Sequence, residues 1–313
     1  MAEGAQPGGM RSLLLAAALL AGPAAAASAP FTVDGRGFAT LEAAVQAIGN
    51  GEGTIVIAPG VYRQCAVQTG GRVTYRAAEP GTAIFERETC EDKAGLVLRG
   101  RGSIVDGLVF RGYSVNDGNG AGIRTERGDL TVVNSMFLDS QQGIGGGAPG
   151  RQRIVIDHSS FAGLGQCDQS ESCAHAVYLK TPGSIAITNS RFERGTGGHY
   201  VKLRIPQVTI TDNSFDDTAG TKTNYMIDLP EGSRGLIARN TFVQGLHKEN
   251  GSTLIAVSAE AKTYPSSGLR IEDNVASLAP GGREHPGFVV DWSHQPLAIG
   301  ANRLSGVTAF VSR

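Results

Sequence analysis

From residue 53 onward the chain is written in short apolar runs: Thr54-Ile55-Val56-Ile57, Val73-Thr74-Tyr75, Leu96-Val97-Leu98, Ser103-Ile104-Val105 and Ile154-Val155-Ile156, punctuated by Gly, Asn and Asp. β-Branched and aromatic residues bounded by turn formers predict strands. Ahead of them Leu41, Ala44, Val45 and Ile48 recur at helical spacing behind Thr40, a good N-cap. One short amphipathic helix is therefore predicted over 40–48, inside an N-terminal cap of about 31–50.

The strands repeat. Phe110, Phe137, Phe161, Phe192, Phe215 and Phe242 are separated by 27, 24, 31, 23 and 27 residues, and each closes an apolar-x-apolar segment with Asn, Asp or His before it. Asn recurs at 134, 189, 213, 240, 274 and 302, where it can adopt left-handed φ and bond its neighbours up a stack. A period of this size with strand-turn-strand content predicts a solenoid in one domain over 30–313. Leucine-rich, ankyrin and TPR arrays are excluded because the units carry no Leu-x-x-Leu-x-Leu signature and no helical repeat. With its capping helix, its early Gly-Thr-Ile-Val-Ile-Ala-Pro-Gly-Val-Tyr stretch (53–62) and its Asn/Phe-marked coils, the chain resembles the right-handed parallel β-helix, or pectate-lyase-like, superfamily. The resemblance implies an all-β fold and leaves the chemistry open.

Composition adds three constraints. The 44 glycines are roughly double the usual ~7% and suit a turn in every coil. A net charge of -1 supplies no overall field for nucleic acid. Arg11, the apolar run Ser12–Leu20 and the small residues Ala24–Ala29 predict a secretory signal over 1–29, cleaved after Ala26, Ala27 or Ala29. The expected product is exported to the periplasm or beyond, has no membrane span and is a monomer. Four cysteines agree with export, and their spacing favours Cys65–Cys90 and Cys167–Cys173 among the three connectivities. No CxxC pair supports zinc. The Gly143–Gly147 run reads as a tight turn between coils, and Gly163–Cys173 as an outward loop pinned by the second disulfide.

On a β-helix, register places residues against one another. His175–Pro182, His199–Pro206 and Thr223–Pro230 follow each other at a step of 24. Alternation then turns Val177/Leu179, Val201/Leu203/Ile205 and Tyr225/Ile227/Leu229 inward. The outward columns become Lys180–Arg204–Asp228, Tyr178–Lys202–Met226 and Ala176–Tyr200–Asn224. His175 and His199 start their strands, where a turn can bring them to the surface; Arg124 and Glu260 flank the patch. A bland reading makes the charges a surface ion-pair ladder of 0–1 kcal/mol per pair. Cations stacked on cations argue instead for a bound anion.

The chemistry this patch suits is β-elimination in a uronate polymer: the C5 proton is removed once the adjacent carboxylate is neutralised. Arg204 is expected to neutralise it. Like charge around Lys202 would favour the neutral amine needed as a base, with Tyr200, Tyr178 or His199 as further acid or base. Secreted polysaccharide lyases of the superfamily use Lys/Arg-centred sites, which the resemblance carries to Lys202 and Arg204. Arg204-Ile205-Pro206 resembles their Arg-x-Pro segment, without the second Arg that should follow. Tyr178, Lys180, His175, Asp228, Arg124 and Glu260 are expected to bind substrate. No cofactor is required by the pattern; calcium stays open, although no clear cluster of calcium-binding acids is present. Three rivals remain: a glycosidase built on Asp228 and Glu260, a C5-epimerase sharing the first proton abstraction, and a non-catalytic polysaccharide-binding or surface protein. Asp216 and Asp217 read as loop acids.

Overall fold

The computed structural model describes residues 1–5, 29–283 and 285–313, so the expected leader lies outside the described residues apart from its two ends. Period-two alternation gives each coil three strands: Glu52–Ile57, Gly60–Tyr62 and Ala66–Gln68 in one, then Arg72–Ala77, Ala83–Glu86 and Ala94–Leu98 in the next. Each strand pairs in parallel with its counterpart one coil on. Among the described residues three sheets of 12, 10 and 10 strands result. The architecture is a right-handed parallel β-helix of about nine turns. The predicted helix is Leu41–Ile48, with Thr40 accepting from the Ala43 N–H at its N-cap. Its Leu41, Ala44 and Val45 cover the apolar end of the first coil.

The core is a column. Phe110, Phe137, Phe161, Phe192, Phe215 and Phe242 stand in register on successive rungs of the second sheet. Their ring centroids are 4.7–5.2 Å apart, which is the rung spacing itself. Burying each ring contributes roughly 1.5–3 kcal/mol. Phe85 extends the column by one coil.

The recurrent asparagines divide into two kinds. Asn134 and Asn189 sit in the left-handed region, at φ 53° and 50°. Asn213, Asn240 and Asn274 stand one residue farther along their turns, behind Asp212, Arg239 and Asp273, which hold positive φ in their place, and Asn302 follows them in the stack. These four asparagines form a ladder, buried at Asn213, Asn240 and Asn274: each backbone N–H of those three donates to the Oδ1 of the next asparagine at 3.0 Å. Serine continues the ladder upstream through Ser135, Ser159 and Ser190, with Ser190 N donating to Asn213 Oδ1 at 2.9 Å. A corner whose backbone is buried thus finds its hydrogen bonds in side chains.

Both disulfides favoured by spacing are closed, Cys65–Cys90 and Cys167–Cys173. The Gly143–Gly147 run departs from expectation: Gln142–Gly147 is a full strand of the third sheet. Glycine is required there by close approach, since a Cβ on Gly146 would stand 2.0 Å from Thr125 O.

Asn240→Ala removes the acceptor of two Asn213 donors and the donor to Ile210 O. Leaving such groups unpaired in a buried corner costs about 2–3 kcal/mol, read as a lower denaturant midpoint. A change under about 0.5 kcal/mol, the size of an ordinary surface substitution, would show that the ladder carries no stability.

Candidate active-site groove

The third sheet carries the candidate residues on its outward face. One outward column runs Val67–Val97–Arg124–Gly145–Tyr178–Lys202–Asp228–Ala256–Val290. It is apolar at both ends and polar in the middle. Tyr178 and Lys202 stack as the 24-residue step requires, as do Lys180 and Arg204. The next step is 26, pairing Val201 with Ile227 and Lys202 with Asp228. Asp228 therefore lies beside Lys202 in the column, not beside Arg204. The recurrence of proline at 182, 206 and 230 hides this slip, because the corner between Phe215 and Ile227 is longer than the one between Phe192 and Val201. An even slip keeps the inward and outward phases intact.

Four expectations at the strand starts are corrected, because alternation holds only within the strands, which begin at Val177, Val201 and Ile227. Tyr200 is buried among Phe192 and Phe215, and its hydroxyl donates to Asp217 Oδ1 at 2.7 Å. Burial, then the Asp217 charge, raises its phenol far above the ordinary range. Tyr200 is a core residue outside the groove. Ala176 and Met226 are buried as well. Tyr225, expected inside, instead lies half-buried, stacked on His199 with centroids 5.2 Å apart. Asp217 is no loop acid: fully buried, it also accepts from Thr223 Oγ1 and pairs with Lys248 Nζ at 3.0 Å, which pins the longer corner.

The cationic row is interleaved with acids. Lys202 Nζ lies 3.3 Å from Asp228 Oδ2 and 2.6 Å from Glu260 Oε1. Arg204 donates through Nε to the Tyr178 hydroxyl at 3.0 Å, through one terminal nitrogen to Glu231 Oε1 at 2.9 Å, and through the other to Glu260 Oε2. Lys180, with a side chain 62% exposed, reaches Glu231 at 3.5 Å. Acids offset the like charge around Lys202, so cation repulsion does not by itself mark an anion site. Glu231 and Tyr225 are the groove residues that sequence reasoning missed; Glu231 follows Pro230 at a strand end, a place where only register reveals a partner.

Burial distinguishes the cluster from a surface ladder. Asp228 is 2% exposed and Lys202 9%, and Asp228 Oδ1 is buried without a hydrogen-bond partner. Burial pushes the Asp228 carboxyl up to about 6, against the opposing pull of Lys202. Partial burial also raises Glu260, but hydrogen bonds and charge from Lys202 and Arg204 outweigh it and hold that carboxyl below its usual range. In Arg204 the bonds to Glu260, Tyr178 and Glu231 overcome desolvation and strengthen its charge.

The two histidines are fixed by backbone donors. His199 N–H donates to His175 Nδ1 at 3.0 Å, and Tyr225 N–H donates to His199 Nδ1 at 3.1 Å. An Nδ1 that accepts is unprotonated, so the ring proton of each neutral histidine sits on Nε2. His199 Nε2 lies 3.3 Å from Asp228 Oδ2. Burial, followed by neighbouring positive charge, lowers His175 to about 3 and His199 well below its ordinary value. His199 thus orients Asp228 and has no free base nitrogen for a substrate. The disulfide loop packs against the turn before it, Gly198 N–H donating to Cys167 Sγ. Arg124 joins the same column two rungs from Tyr178. Among the described residues no three His, Cys, Asp or Glu side chains converge as a metal would need, and the groove's acids each face a cation. The donor set does not fit calcium.

No known family model matches the chain, and no curated protein matches it. Its fold is similar to that of a solved PL6 alginate lyase in complex with a trisaccharide, at TM-score 0.54 and 16% identity, over 86% of this chain and 56% of that one. This chain therefore spans little more than half the length of that lyase. Lesser likeness extends to a pectin methylesterase from Aspergillus niger (TM-score 0.43, 10% identity, 86% and 83% covered) and to the PL6-family alginate lyase AlyGC (TM-score 0.43, 14% identity, 83% and 37%). At these identities the likeness is one of fold. Among the described residues no helix is long and apolar enough to cross a membrane.

Nitrogen-15 NMR of the imidazole rings should find His175 and His199 neutral with the proton on Nε2, and neither should gain charge as pH falls through about 6.5, where a free histidine titrates. An imidazolium at either position at pH 6 would remove His199 from its orienting role.

Proposed function

We propose that this protein is an exported enzyme that cleaves an acidic, uronate-containing polysaccharide by β-elimination. The observation that carries the proposal is the Glu260 carboxylate bridging Lys202 and Arg204. It marks the place where two positioned cations, already on an outer sheet face, receive a carboxylate. Glu260 is 44% exposed in its side chain, on a stretch where residues 259–263 are exposed, so a sugar carboxylate can displace it. A fold shared with a trisaccharide-bound alginate lyase supports the same class of substrate.

In this reading Arg204, with Lys180 at the open rim, neutralises the uronate carboxylate and makes the C5 proton acidic. Lys202 takes that proton. Its own proton passes to Asp228 Oδ2, 3.3 Å away, whose carboxyl at about 6 is a better acceptor than an ordinary aspartate. Tyr178 accepts from Arg204 through its oxygen and keeps its hydrogen for the leaving O4. The C5–H and C4–O4 bonds break, a C4–C5 double bond forms, and the proton lost at C5 is matched by one gained at O4. His199 and His175 hold Asp228 in place.

A second reading rests on the two carboxyl groups. Asp228 and Glu260 both contact Lys202 Nζ, at 3.3 and 2.6 Å, so the two carboxyl groups are close neighbours, as a glycosidase pair requires. Their proton affinities are also pushed in opposite directions.

Incubation with alginate, polygalacturonate and glucuronate polymers should raise the ultraviolet absorbance of an unsaturated uronate, and Lys202→Ala or Arg204→Ala should reduce the rate at least 100-fold. The sign of the pH dependence separates the readings. Elimination needs Asp228 ionised, so its rate rises as pH increases through about 6; hydrolysis needs Asp228 protonated, so its rate falls over the same interval. New reducing ends without the absorbance, on a falling limb, would replace elimination by hydrolysis.

A further inference from the structure

The groove column contains a cation that the cluster around Lys202 does not use. Arg124 stands on the same outward column as Tyr178 and Lys202, with Gly145 between Arg124 and Tyr178. Its guanidinium donates through one terminal nitrogen to Asn119 Oδ1 at 2.9 Å, while its Nε is buried with no hydrogen-bond partner. The acids that act on it do so from a distance. Glu126 is held by Lys93 at 2.9 Å and by Arg99 at 2.5 Å, and Asp117 accepts from the Asn119 amide at 3.1 Å. Lys202 and Arg204, by contrast, each face carboxylates directly. Desolvation without such a partner weakens the charged form of Arg124, and an arriving anion would relieve that cost.

The floor between the two sites is also specific. A Cβ on Gly145 would stand 2.2 Å from Gln142 Oε1. Glycine at this rung therefore lets the Gln142 carboxamide lie in the column between Arg124 and Tyr178. Gln142 is only 2% exposed, so its carboxamide forms the floor of the site, while the Arg124 guanidinium offers the N–H donors to a carboxylate.

From this placement, and resting on the uronate reading above, we propose that Arg124 and Gln142 form a distal carboxylate subsite, which makes the groove bind a uronate chain lying along the helix axis. Three rungs of ~4.8 Å separate Arg124 from Lys202. A rung is close to the length of one pyranose unit, so the chain meets Arg124 about two to three sugars from the unit held at Lys202. The subsite thus selects for chain length and for a charged sugar at that distance.

The test uses the full chain carrying Lys202→Ala, which blocks turnover, and titrates saturated alginate and galacturonate oligomers of two to seven units by calorimetry. Affinity should rise in a step when the oligomer becomes long enough to reach Arg124. Adding Arg124→Ala should erase the step, lowering affinity about tenfold or more for the long oligomers while leaving dimers unchanged. Gln142→Ala should give a smaller loss in the same direction, and circular dichroism checks that each variant is folded. Loss spread equally over all lengths, no loss at all, or no binding by any oligomer would overturn the subsite. Elimination is judged separately by the absorbance assay on the unsubstituted protein. A length step without any cleavage would keep the subsite and discard the lyase.

Discussion

The physical constraint beneath the whole structure is that every strand of a coil must satisfy its backbone hydrogen bonds on the coil below and the coil above. Parallel pairing at one fixed spacing turns a chain into columns, and a column can be occupied only by side chains that tolerate a near-identical neighbour ~4.8 Å away. Aromatic rings meet this condition by stacking, hence the phenylalanine column. Asparagine and serine meet it by donating up the stack and accepting from below. Like charges do not meet it. Where Tyr178, Lys202 and Asp228 share a column, a neutral, a positive and a negative side chain follow one another, and the neighbouring Lys180–Arg204 pair is compensated by Glu231.

This constraint also explains what was legible in the sequence. Residues inside strands obey alternation, so the phenylalanine column, the inward Val177, Val201 and Leu203, and the outward Tyr178, Lys202 and Arg204 follow from pattern alone. The disulfide pairing follows from spacing. Corners obey no period. Tyr200 and Tyr225 flank strands by one or two residues, and the backbone turn before each decides its direction. The slip at Asp228 has the same origin: the repeated proline marks where strands end in sequence, whereas register is set by the length of the corner, and that corner holds the buried Asp217, Thr223 and Lys248 cluster. The ion pairs of Glu231 and Glu260 come from loops that no local pattern aligns with the sheet.

The corrected register changes the chemical character of the groove. A row of three cations would be an attractor for any polyanion, governed by salt and indifferent to geometry. Cations paired with acids, one of them the half-exposed Glu260, make a different object, in which the proposed incoming carboxylate would exchange with one already present. Such exchange is nearly neutral in Coulomb energy and therefore selects for shape and bidentate geometry at Arg204 more than for charge alone. The neutral overall balance of the chain extends to this site.

Asp228 is the residue on which this arrangement turns. A carboxyl group beside a lysine is ordinarily held well below its free value, yet here burial wins and the group is raised to about 6. Two features sustain this: one oxygen is buried without a donor, and the histidine on the other oxygen is kept neutral by a backbone N–H at its Nδ1. A charged His199 would bring Asp228 down again and with it the capacity to accept a proton from Lys202. The Tyr225 and His199 backbone amides, by fixing two tautomers in succession, therefore tune a carboxylate they never touch. That tuning costs stability, since Asp228 ionises less readily in the fold than in the open chain, and a fold that retained it for packing alone would have gained by an apolar residue at the same rung. A buried, under-bonded acid between a lysine and a histidine, on the outer face of the third sheet, is a feature that structural stability leaves unexplained and that the proposed proton transfer would account for.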